Sequence, residues 1–195
     1  MEALFGNAAQ ARERSAAALA LSTGENAQYG AALALALAGA APRARALTDD
    51  LAKRFPENTI VRFNYLPTLR AQLAPKRGNS SKAIETLQAA IPYELGSIGN
   101  GTLYPVFVRA EAYLAAHHGS EAAAEFQKIL GYRRAILGNS PVGALAPLGL
   151  ARAYIQQGDT AKARGAYQDF LTLWKDADPD IPILIAAKAE YAKLQ

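Results

Sequence analysis

Apolar positions along this chain gather into alanine-rich stretches with the three-to-four-residue spacing of amphipathic helices, and these stretches are broken at regular intervals. Gly39, Gly78 and Gly158 mark three of the breaks and His117 occupies the remaining one, giving steps of 39, 39 and 41 residues. A period of about 20 to 50 residues is the signature of stacked repeats, in which one unit cannot bury its apolar face without a neighbour. A small residue follows each break by five positions and a larger one comes four positions later: Ala44 and Thr48, Ala83 and Leu87, Ala122 and Phe126, Ala163 and Tyr167. A small side chain there lets the second helix of a pair approach the first, and the larger one shares its face. Four positions before each break stand Leu35, Ala74, Tyr113 and Tyr154.

The pattern predicts paired helices at 25–38 with 42–55, 58–76 with 80–91, 102–117 with 119–136, and 142–157 with 160–175. Residues 3–21 read as a lone helix whose Gly6, Ala11 and Ser15 mimic the second half of a repeat, so that the chain begins mid-array. A last helix over 181–194 caps the array. Pro42 suits a first helical turn, where its missing N–H costs nothing, and Asn79-Ser80-Ser81 offers capping oxygens ahead of Lys82. Pro92 to Gly101 is too rich in glycine for a helix and predicts a surface loop, with a shorter break at Gly138 to Pro141.

These residues resemble the tetratricopeptide repeat, whose pattern asks for Tyr, Gly, Ala, an aromatic and a closing Pro at these relative places. Tyr154, Gly158, Ala163 and Tyr167 match it best, and Pro56 closes the first full repeat in Arg-Phe-Pro-Glu. The usual Trp near the start of the first helix is absent, His117 replaces Gly, and the units exceed the usual length of about 34 residues. The resemblance implies an all-α superhelical solenoid of antiparallel helix pairs with about ten helices. It forms a single domain over 1–195, with a half repeat at 3–21, pairs at 25–56, 58–91, 102–136 and 142–175, and a capping helix at 181–194. It also implies a concave groove lined by Tyr29, Leu33, Tyr65, Thr68, Gln72, Tyr104, Phe107, Glu111, Leu148 and Arg152. The alternative for Phe107 and Leu148, and for the tyrosines, is packing between repeats. Thr68, Gln72, Phe107 and Glu111 stand where a clamp for a terminal carboxylate would need Lys or Asn, so the groove suits a protein or peptide segment of another kind.

Over most of its length the chain also resembles the repeat-bearing C-terminal regions of bacterial, particularly acidobacterial, eukaryotic-like serine/threonine kinases. Leu51 to Pro56, Asn64 to Pro67, Ala90 to Leu95, Glu125 to Leu130 and Tyr167 to Pro182 carry this likeness. The implied role is a non-catalytic interaction or regulatory module from a kinase-like signalling protein. The same module follows winged-helix DNA-binding domains in related regulators, which leaves a transcription-regulator module as the alternative.

Composition narrows the chemistry. The sequence has 195 residues, is 51% hydrophobic and carries a formal charge of +4. Between Arg43 and Lys82 nine basic residues stand against three acidic ones, while Asp169 to Asp180 carries four Asp against Lys175, an asymmetry expected of solvated faces or an electrostatic docking surface. With no cysteine, disulfides, thiolate metal sites and cysteine nucleophiles are excluded. The only histidines, His117 and His118, are adjacent and diverge by about 100 degrees on a helix. Asp176, Asp178 and Asp180 begin like a calcium loop, but Ile181 and Ala187 stand where it needs Gly and Glu. Neither a phosphate-cradling loop nor a kinase catalytic loop is present. No enzyme activity, metal or cofactor is therefore expected. Arg62, Arg70, Lys76 and Arg77 with Phe63 and Tyr65 form the one basic-aromatic group, and helical spacing divides it between faces, so direct nucleic-acid binding is not expected. No apolar run nears the about 18 residues of a membrane span, and Met1 opens no secretion signal, so a soluble module is expected, on either side of a membrane according to its parent. The apolar face left on the half repeat predicts weak homodimerisation through that end.

Overall fold

The computed structural model describes residues 1–74, 80–95, 103–132 and 140–195, and every regular element among them is helical. A 3-10 turn at Glu2–Phe5 leads into α1 (Ala8–Leu21), α2 (Glu25–Leu37) and α3 (Ala41–Arg54). A π-helical segment, Val61–Tyr65, runs directly into α4 (Leu66–Gln72), and α5 (Ser80–Leu87) continues as a 3-10 turn over Gln88–Tyr93. Then come α6 (Tyr104–Ala115), α7 (Gly119–Gly131), α8 (Pro141–Gln156), α9 (Thr160–Leu173) and α10 (Pro182–Ala192). The chain forms two compact units, Met1–Pro105 and Val106–Gln195.

The regular breaks have a hydrogen-bond meaning. Gly39, His117 and Gly158 all have positive φ, at 77°, 59° and 76°. At each, the N–H of the break residue donates three residues back and the next N–H donates five back: Gly39 to Ala36 and Ala40 to Leu35, His117 to Leu114 and His118 to Tyr113, Gly158 to Ile155 and Asp159 to Tyr154. This paired closure of a helix end requires a left-handed residue at the break, which glycine supplies without strain. The residue four positions before each break is thus the one whose carbonyl seals the helix. Gly6, with φ 95°, makes the same turn through Asn7 to Glu2. That turn corrects the expectation of one helix over 3–21, since the left-handed residue ends the 3-10 turn before α1 begins. Gly78 lies outside the described residues.

The small and large slots lie in the interior. Ala44, Ala83, Ala122 and Ala163 are buried, and so are Thr48, Leu87, Phe126 and Tyr167. In the first unit α1 packs on α2, α2 on α3 and on α4, and α4 on α5. Tyr29, Leu33, Leu51, Val61 and Leu69 form its core, where each large aliphatic side chain contributes about 1.5–3 kcal/mol by leaving water. Buried hydroxyls bond within their own helices: Ser15 to the Ala11 carbonyl at 2.6 Å and Thr48 to that of Ala44 at 2.8 Å. In the second unit α8 lies against both α7 and α9, and α10 packs on α9. Gly149 brings α8 so close to α7 that a β-carbon there would stand 2.2 Å from Phe126 Cζ. Trp174 Nε1 donates to the Ala144 carbonyl at 3.2 Å, tying the end of α9 to the first turn of α8.

Several boundaries differ from the sequence expectation. The helix expected over 58–76 contains the π segment, and the one over 80–91 tightens into a 3-10 turn that carries Pro92, which cannot donate to a helix ladder. The loop expected from Pro92 therefore starts later; its residues 96–101, like the break at Gly138, fall outside the described residues. Pro42 sits in the first turn of α3 as expected, and Asp159 caps α9 by accepting from Lys162 N at 3.0 Å.

Candidate partner-binding surface

In the first unit the expected groove residues converge, but toward the interior. Tyr29 on α2 stacks on Tyr65 of the π segment with ring centroids 3.8 Å apart and planes at 7°, and Tyr104 meets Tyr29 edge-on at 6.5 Å. Tyr29, Leu33, Tyr65 and Thr68 are buried, Tyr104 and Gln72 half-buried. The rings come from α2, the π segment and the start of α6 and pack together in the core of the first unit, so their apolar area is already largely covered. Fully buried side chains cannot offer contacts to a partner without local rearrangement; Gln72 and the exposed part of Tyr104 can.

Polar groups in this interior are unevenly satisfied. Tyr65 donates to Asn26 Oδ1 at 2.6 Å, and Gln28 Nε2 donates to Asp50 Oδ2 at 2.6 Å and to the Leu47 carbonyl at 3.1 Å. Thr68 Oγ1 donates to the Asn64 carbonyl at 2.7 Å. Among the described residues the Asn64 side-chain amide and the Tyr29 hydroxyl have no hydrogen-bond partner. Thr68 lies near the Tyr29 hydroxyl, but its own hydroxyl proton goes to the Asn64 carbonyl. Burial, with Tyr104 and Tyr65 adding to it, still holds the Tyr29 pKa well above the usual phenol value. Burial also raises Tyr65 and Tyr104. All three are neutral rings at physiological pH.

In the second unit Phe107 meets Phe126 edge-on at 6.2 Å, and Phe107 and Leu148 are both core, the packing alternative open to them. Arg109, buried, makes a two-pronged pair with Glu125 of α7 at 3.0 and 2.6 Å. Glu111 and Arg152 are half-buried and electrostatically coupled. Arg152 on α8 grips Glu190 of α10, Nε to Oε2 at 2.9 Å and Nη2 to Oε1 at 2.8 Å, the fork geometry that makes such pairs strong. The buried Tyr167 of α9 adds a third donor, its hydroxyl lying 2.8 Å from Glu190 Oε2. Burial alone would raise the Glu190 pKa, but the bonds from Arg152 and Tyr167 outweigh it and hold the carboxyl below its usual value. The Arg152 guanidinium is held charged by the same contact against the effect of burial.

The remaining candidates are dispersed. His117 and His118 are exposed, His118 lying 6.2 Å from the Tyr113 ring. Asp176, Asp178 and Asp180 are exposed, and no metal-holding group of three or more acidic or histidine side chains occurs among the described residues. Phe63 is stacked on Tyr93 at 5.0 Å and Tyr65 on Tyr29, so neither ring is free to stack on a base; Lys76 and Arg77 lie outside the described residues. Among the described residues no helix is long and apolar enough to cross a membrane.

Sequence reasoning missed Asn64, Arg109, Glu125 and Glu190. For Glu190 a signal existed: it follows Arg152 by 38 residues, close to the repeat step. Other side-chain bonds span the same interval, Tyr65 to Asn26 across 39 and Gln157 Nε2 to the Gly119 carbonyl across 38. Compared with known proteins, the chain matches no protein-family model and resembles no curated protein in sequence.

Proposed function

We propose that this chain is a non-catalytic protein-interaction module, a tetratricopeptide-like solenoid that serves a bacterial kinase-like signalling protein. The observation that carries this reading is the recurrence of one unit: a left-handed helix closure, a buried small residue five positions on, and a buried larger residue four beyond that. The bond from Tyr65 to Asn26 supports it, because the two residues stand equally far ahead of the breaks at 78 and 39, and two further side-chain bonds span about one repeat step. An array of this kind presents the first helices of its pairs to partners. On that reading Gln72 and Tyr104 in the first unit, and Glu111 and Arg152 in the second, have surface left for recognition.

The test is affinity capture from the source cell with the parent chain and with Gln72→Lys and Glu111→Lys variants that keep the parent's helical circular dichroism. A protein held by the parent and released by either variant supports the reading. Equal retention by all three chains places the contact elsewhere and defeats this choice of surface, and a parent chain that holds no protein defeats the reading itself.

A further inference from the structure

The three donors around Glu190 belong to α8 and α9, whereas the carboxylate alone belongs to α10. Tyr167 occupies the larger slot of the α8/α9 pair and is buried, so its hydroxyl is fixed by that pair's packing. Arg152 presents its fork from α8 to the same point. Two packed helices therefore build a complete receptor for one carboxylate. The helix that fills it is lightly embedded: of α10 only Leu184 and Ala187 are buried, while Ile185 remains 53% exposed. The stretch leading to it, from Lys175 to Asp180, is exposed except at Ala177. Leu184, Ala187 and Glu190 fall at i, i+3 and i+6, a single helical stripe.

We propose that the α8/α9 pair is a docking site for a helix of another protein bearing a leucine, a small residue and a glutamate at i, i+3 and i+6, and that α10 is the chain's own occupant of it. This rests on the reading of the chain as an interaction module. Chemistry sets the occupant: a forked guanidinium and a phenol O–H accept a planar carboxylate and discriminate against an amide, which would turn a donor toward a donor. An incoming helix must displace α10 in cis, so the chain holds its own competitor at high effective concentration.

A labelled peptide of residues 180–195 serves as the probe, read by fluorescence anisotropy against the full chain. The expected result is weak binding to the parent, binding about tenfold tighter to a Glu190→Gln chain whose own helix has lost its carboxylate, and at least about tenfold weaker binding of the peptide carrying that same change. A Leu184→Ala chain, which loosens α10 through its apolar contact, should open the site similarly, and Tyr167→Phe should weaken capture of the peptide in either background. Affinity that is equal for parent and loosened chains, or indifferent to the peptide's glutamate, overturns the proposal. So does a loosened chain that dimerises and thereby excludes the peptide, since the occupant would then be a second copy. The peptide assay needs no natural partner: its failure beside a successful capture from lysate sinks only this receptor, whereas the converse sinks only the choice of partner surface made above.

Discussion

Replacing Gly149 by alanine sets two known effects against each other within one helix. Alanine is favoured over glycine in a helix interior by about 1 kcal/mol, which stabilises. At Gly149, however, the new β-carbon would stand 2.2, 2.3 and 2.7 Å from three atoms of the Phe126 ring, distances real contacts do not reach. The ring is fully buried and Phe107 lies edge-on to it at 6.2 Å, so neither α8 nor the ring can yield by a simple side-chain swing. Overpacking of this kind costs about 1–3 kcal/mol and here involves three ring atoms, so the upper half of that range applies and the net loss should be about 1–2 kcal/mol. In a unit of this size that lowers the melting temperature by about 4–8 °C per kcal/mol. Gly165 in α9 provides the control, because a β-carbon there meets nothing within 4 Å; Gly165→Ala should stabilise by up to about 1 kcal/mol. Urea and thermal unfolding of both variants reads the difference. Two variants that shift in the same direction would refute the close approach of α8 to α7, and Phe126→Leu should recover part of the loss in Gly149→Ala.

Three further expectations follow from the described geometry. His117→Gly should stabilise the second unit by about 1 kcal/mol, since the left-handed conformation costs roughly that much in any residue with a β-carbon; unchanged urea stability would mean the φ of 59° is not held in solution. Asn64→Leu should be neutral or stabilising, by up to about 2 kcal/mol, because it removes a buried amide that has no partner among the described residues; a clear loss in chemical denaturation would show that the amide is satisfied. Glu190 has a depressed pKa in the folded chain, so the stability it contributes is present above its unfolded value of about 4.3 and is lost as pH falls through the lower folded value. Urea titrations from neutral pH down through that range should show a steeper acid loss in the parent than in Glu190→Gln, and parallel profiles would remove Glu190 from the account.

The repeat was legible because its marks are local and stereochemical. A left-handed closure needs glycine or a tolerant substitute, and the helix behind it needs a small residue, so a spacing of five could be read without knowing any tertiary contact. Burial of Ala44, Ala122 and Ala163 follows from that spacing. The tyrosines were harder, because periodicity says which residues share a face and not what covers that face. Tyr29 and Tyr65 lie on helices that meet, and their stacking removes both from the surface. In the sequence Gly6 looks like a mark inside a helix, although the conformation it permits is what ends one. The π segment left no trace in the pattern: Val61 and Tyr65 keep apolar character in either register, and Asn64 between them looks like any polar residue at a helix surface. Position in the repeat suggests Arg152, whereas Glu190 is reached only by stepping one repeat interval from it, and that spacing alone does not say that the two side chains meet.

Trp174 is the sequence's one tryptophan, and it sits in one of the two compact units, its indole bonded to the backbone of Ala144. Emission excited at the red edge of the protein spectrum therefore originates in the second unit alone, whereas the first is sensed through its tyrosines. The chain thus carries an intrinsic optical label that distinguishes melting of one unit from melting of the other without any chemical tagging. The label stands just ahead of the stretch that leads to α10, with the Ala177 N–H donating to the Trp174 carbonyl at 3.2 Å. Undocking of the last helix and loosening of the α8/α9 pair should consequently both register in its wavelength.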